Sequence, residues 1–164
     1  MIAFSELPRV MHNPALGAVV LHSFVQGWEE KHISENGLPW PLLFLPLPLV
    51  LHMPTAEILA KTQQRSGLIG LTEGDDKLRK NIYSFQERVL TSRKLSMESM
   101  VMALATGLLI LDLQGGQLFS GRPAVPRDSI PERVRLLVKA AKSLGRLCQG
   151  HSLGEISFHL RVQF

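Results

Sequence analysis

Chemistry in this 164-residue chain would have to start from six histidines, one cysteine and fourteen carboxylates. A transition-metal site needs imidazole or thiolate ligands at helical or turn spacing. His12, His22, His32, His52, His151 and His159 form no HxxxH pair, and none stands directly beside Cys148. One cysteine excludes an internal disulfide and a Cys-based zinc site, and it makes a reducing, cytoplasmic setting the expectation. Serines are frequent, but no G-x-S-x-G elbow exposes one as a nucleophile, and no P-loop offers a nucleotide cradle. The acids fall mostly at expected helix N-termini, where capping accounts for them. The sequence therefore predicts no catalytic residue, no cofactor and no metal, and a protein that is not an enzyme.

The cations are more suggestive. Residues 1–60 balance to −3, whereas residues 61–164 balance to +7. Arg135, Lys139, Lys142 and Arg146 recur at 0, 4, 7 and 11, one line along a helix, suited to phosphates or an acidic partner. Lys77, Lys80, Arg88 and Lys94 lie off the apolar stripe of an earlier helix. These eight are the candidate partner- or DNA-facing residues.

The positioning elements follow from periodicity. Asn13-Pro14 is an N-cap followed by a first helical residue, opening a helix over 14–31. Ser34 to Gly37 reads as a loop. The run Trp40 to Leu51 is 12 residues long, too short for a membrane span of about 20, and the N-terminus lacks the order of a secretion signal. Leu42, Leu43, Phe44, Leu45, Leu47, Leu49 and Leu51 would form core or dock a partner. Pro46 and Pro48 leave a kinked helix or an extended segment open. A short helix is expected over about 55–63.

Thr72 is expected to cap a helix with Glu73, Asp75 and Asp76 in its first turn and Leu78, Ile82, Phe85 and Val89 as its stripe. Ser96 is expected to cap a separate helix over 97–106, with Met97, Met100, Val101 and Leu104 inward and Gly107 as its stop. Leu108 to Leu113 and Leu118-Phe119, around Gln114-Gly115-Gly116-Gln117, read as a β-hairpin. Residues 120–128 form a linker. Ser129 with Glu132, and Ser152 with Glu155, are expected capping boxes for a helix over 130–148 and for the last segment.

The fold class is thus mainly α with one β-hairpin and a winged-helix-like central unit over 72–120, within one domain that also holds an N-terminal helical part (1–65) and C-terminal helices (129–164). Helix 97–106 would take the recognition position. It offers Met97, Glu98, Ser99, Met100 and Met102 rather than the Arg, Lys, Asn or Gln that read base edges. That favours protein contact, and exposed Met suits adaptable apolar interfaces.

The order of segments is recognisable. Asn13 to Ala18 opens the first helix and Phe24-Val25-Gln26-Gly27-Trp28 ends it. Leu47-Pro48-Leu49-Val50-Leu51-His52 is followed by Pro54-Thr55. Later come Ala103 to Leu109, and Ala140-Ala141-Lys142-Ser143-Leu144-Gly145-Arg146. Taken in that order, these resemble the middle component of bacterial three-component ABC-type conflict systems, related to the accessory subunit of Lamassu anti-phage complexes. The resemblance covers nearly the whole chain and rests on order and spacing. It implies a non-catalytic accessory subunit coupling an SMC-like ABC ATPase to an effector, often a nuclease, with DNA met through the complex and no membrane. The alternative is a stand-alone winged-helix transcriptional regulator.

Overall fold

The computed structural model describes residues 12–30, 35–62, 67–74, 79–80, 84–122 and 130–164. Helix α1, Pro14–Glu29, begins as its sequence predicts: the Asn13 side chain accepts from the Ala15 N–H at 2.9 Å, and Pro14 occupies the first turn. Ten of its residues are buried, from Gly17 to Trp28, because neighbours close on it from more than one side.

The Pro/Leu-rich run resolves into β1 (Leu38–Pro39), a 3-10 turn (Trp40–Phe44) and the short helix α2 (Pro46–Val50). Pro46 and Pro48 are tolerated because both sit in the first turn of α2, where backbone N–H groups have no intrahelical acceptor. Leu42, Leu43, Leu45, Leu47 and Leu49 are buried in the core, while Phe44 and Leu51 are half-buried against it. Helix α3, Met53–Lys61, turns away from Trp40–Val50 by 108°. Among the described residues no single helix is long and apolar enough to cross a membrane.

Helix α4, Gly67–Gly74, corrects one expectation. Thr72 lies inside it and is not an N-cap; its hydroxyl donates to the carbonyls of Leu68 (3.3 Å) and Ile69 (3.1 Å). Asp75, Asp76, Leu78 and Ile82 lie outside the described residues.

Helix α5, Phe85–Ala105, corrects another. It runs unbroken through Ser96, which is buried in mid-helix. No glycine or proline interrupts this stretch, so a serine alone does not start a new helix. The inward face is Phe85, Val89, Leu95, Ser96, Ser99 and Ala103. Ser99 meets Gly17 of α1 so closely that a Cβ on Gly17 would overlap its hydroxyl. The hydroxyls of Ser96 and Ser99 have no hydrogen-bond partner among the described residues, so these serines are there for their size. Ser96→Ala is therefore expected to be neutral or stabilising in urea denaturation, whereas loss of a true N-cap would cost about 1 kcal/mol.

Gly107, with φ +74°, stops α5, and the expected hairpin follows as β2 (Leu109–Asp112) and β3 (Gln117–Ser120). The Asp112 carboxylate accepts from the N–H groups of Gln114 and Gly115, both at 3.1 Å, and Gly116 takes the positive φ the turn needs. Leu38–Pro39 adds a third antiparallel strand, giving the order β1-β3-β2. The third strand thus comes from residues before 72, outside the expected central unit, and the expected separate helix 97–106 is the second half of α5. Glu29 at the end of α1 accepts from Ser120 N–H at 2.8 Å and from its hydroxyl, anchoring the hairpin to the helices.

Helix α6, Glu132–Cys148, starts two residues later than expected, with Pro131 at the N-cap. Glu132 is therefore the first helical residue and cannot close the expected capping box; Ser129 lies outside the described residues. Leu137, Ala140, Ala141 and Leu144 are buried along its inner face. The Ser152–Glu155 capping box does form, opening α7, Leu153–Leu160.

Candidate interaction surface

The second half of helix α5 holds Met100 and Leu104 against the core, as expected, but not its other large apolar residues. Met97 and Val101, expected inward, are exposed, while the two serines and Ala103 are buried. The cause is α1: its close approach at Gly17 leaves no room for large side chains on the facing surface. Leu90 (57% exposed), Met97, Val101 (60%) and Met102 therefore look outward along one helix. The wing adds Ile110 and Leu113, the latter 86% exposed at the hairpin tip. Single exposed apolar residues are ordinary, but a helix that buries serine and exposes methionine and valine is informative.

The line on α6 splits in two. Lys142 Nζ lies 2.7 Å from Glu30, and Arg146 Nε pairs with the other oxygen of the same carboxylate. The Arg146 hydrogen bond, with help from Lys142, holds the Glu30 carboxyl down to about 2. Glu30 follows the C-terminal turn of α1, where the helix dipole disfavours an acid, and the two cations offset that. All three are partly exposed, so the network is worth about 1 kcal/mol or less per pair. Arg135 is exposed and donates to the Ile130 carbonyl at 2.9 Å, and Lys139 is exposed.

The other four candidates also part company. Lys80 is exposed, and Lys77 lies outside the described residues. Lys94 points outward from α5, 3.9 Å from Glu98. Arg88 turns inward, over the Phe85 ring (5.8 Å) and towards the Pro48 carbonyl (3.4 Å). It lines a pocket of about 230 Å³ with His12, Leu47, Pro48, Leu51, His52, Ser92 and Leu95. His52 Nδ1 is tied to the Thr55 hydroxyl at 2.8 Å, and burial, with the Arg88 charge, pushes its pKa down. Among the described residues the lining holds no carboxylate, cysteine or metal-ligand cluster; it offers a guanidinium, two imidazoles and a hydroxyl over an apolar floor.

The family model for ABC-three component (ABC-3C) system Middle Component 3 matches residues 1–164. The chain belongs to that family. No curated protein and no solved structure matches it. As a middle component it is an accessory part of a three-component ABC system, and such a part has partners. The middle component's outward apolar residues were the feature its sequence hid. A helical wheel drawn on hydrophobicity alone turns Met97 and Val101 inward. Gly17, 82 positions before Ser99, is what turns them out.

Proposed function

We propose that this middle component is a non-catalytic adaptor that joins an SMC-like ABC ATPase to an effector, a nuclease, in a cytoplasmic anti-phage or anti-plasmid defence complex. One observation carries the reading: α5 presents Leu90, Met97, Val101 and Met102 to the outside while burying Ser96 and Ser99. A self-sufficient globule gains nothing from that exchange; a subunit with a neighbour does. The family supports an accessory role, and the chain's lack of a P-loop leaves nucleotide hydrolysis to another component. DNA is met through the complex, with Arg135 and Lys139 the exposed cations of the α6 line.

The sheet order β1-β3-β2 favours a second reading, a winged-helix regulator acting alone. Against it, the half of α5 next to the wing shows Met97, Glu98, Val101 and Met102, with no Arg, Lys, Asn or Gln among them to read base edges. Co-expression with the products of the two flanking genes separates the readings. An adaptor co-purifies with them through gel filtration and binds a labelled promoter fragment poorly by itself. A chain that elutes alone and binds its own promoter, with affinity falling steeply as salt rises, is a regulator.

A further inference from the structure

The outward face of α5 has the spacing of a helix-pairing seam. Leu90, Lys94, Met97 and Val101 recur at intervals of 4, 3 and 4. All four are exposed, whereas Leu104, the next step of the repeat, packs against the core. That repeat keeps one stripe facing a second helix, and a strand, with its period of two, cannot follow it. Arg93 borders the stripe on one side and Glu98 on the other, both exposed, so the seam also carries opposite charges on its two flanks. A single lysine within such a seam fixes register; Lys94 has Glu98 of its own helix 3.9 Å away but stays exposed, so an acid on a facing helix can pair with it as well.

Resting on the adaptor reading, we infer that this stripe docks one amphipathic helix of another component of the system, a helix with its own 4-3 apolar repeat and an Asp or Glu opposite Lys94. A second copy of this chain fits worse. In a parallel pair Lys94 would meet Lys94. In an antiparallel pair that stacks Leu90 on Val101, Lys94 would meet Met97. The stripe from Leu90 to Val101 is about 16 Å long. One helix face of that length falls short of the roughly 800 Å² per partner that a stable independent dimer buries. It suits one contact within a larger assembly, and membership of a three-component system supplies the other parts.

The test uses the full chain co-expressed with the products of its two flanking genes. Met97→Asp and Val101→Asp replace exposed side chains, so the circular dichroism spectrum and melting curve stay as in the wild type. Recovery of one partner drops at least tenfold. Lys94→Glu gives a similar loss. A photo-crosslinking amino acid at position 97 then joins a partner peptide that is helical, has a 4-3 apolar repeat and contains an acid. Changing that acid to Lys restores binding to Lys94→Glu. Undiminished recovery of both partners with all three variants removes this face from the assembly and leaves the adaptor reading standing. A crosslink to a second copy, or to a strand or loop, overturns the helix partner. Failure of the wild-type chain to co-purify with either product removes the adaptor reading, and this inference with it.

Discussion

Gly145→Ala is expected to lower stability by roughly 2 kcal/mol, seen as a fall in the urea midpoint with an unchanged slope. Alanine normally gains about 1 kcal/mol over glycine inside a helix. Here a Cβ would run into the Phe24 carbonyl oxygen, with the Trp28 nitrogen and the Gly27 carbonyl carbon just behind. All three are backbone atoms, so no rotamer change relieves the overlap. Gly27 repeats the argument from the other helix, since its Cβ would meet the Lys142 carbonyl. Helices α1 and α6 therefore cross backbone to backbone, and any side chain at either glycine pushes them apart. Gly154→Ala is the control: it lies exposed in α7 with its nearest neighbour, the Ser152 hydroxyl, 4.0 Å away. That change is expected to stabilise by about 0.5–1 kcal/mol. Equal effects at positions 145 and 154 would mean that the crossing is not tight.

These glycines mark the boundary of what the sequence shows. Local chemistry was legible where it decides the outcome locally: Asn13-Pro14 starts α1, the Gly-Gly turn closes the hairpin, and Ser152 with Glu155 caps α7. The order of motifs also pointed to the family, which matches the whole chain. Thr72 and Ser96 misled because the same hydroxyl that caps a helix can bond back to a carbonyl inside one, or fill a narrow gap. The phase of α5 was out of reach for a related reason. Apolar periodicity assumes that large side chains seek the core, yet the Gly17–Ser99 contact lets only small ones in. Likewise the α6 line of cations is real as a helical line. Glu30, at the end of a different helix, takes Lys142 and Arg146 out of it, and no spacing rule within α6 foretells that.

Acid is expected to weaken the fold well before the carboxylates titrate, and His22 is one reason. Its side chain is fully buried in α1, and its ring nitrogens make no hydrogen bond of normal geometry among the described residues. Burial pushes its pKa below 6.5; the nearby Glu29 charge and the Arg122 backbone offset this only in part. In the unfolded chain the same imidazole takes up its proton as pH falls through about 6.5. Below that point the unfolded state binds more protons than the folded one, so stability falls with falling pH, by at most about 1.4 kcal/mol per pH unit for this group. Above about pH 6.5 both states hold it neutral and the dependence vanishes. Glu30 has the opposite ionisation but the same slope: its depressed pKa adds stability above its unfolded value of 4.5, lost as pH drops towards 2. The His22 slope sets in as pH falls through about 6.5 and the Glu30 slope only below about 4.5, so measurements above pH 5 read the histidine. His22→Leu keeps the volume and removes the proton site. Urea midpoints measured from pH 7.5 to 5 should therefore fall less steeply in this variant than in the wild type, with His52, whose pKa burial also pushes down, supplying a remaining slope. Identical slopes in the two proteins would show that the buried ring at position 22 titrates as freely as it does in water, and that α1 is less tightly enclosed than its packing against α5 and α6 requires.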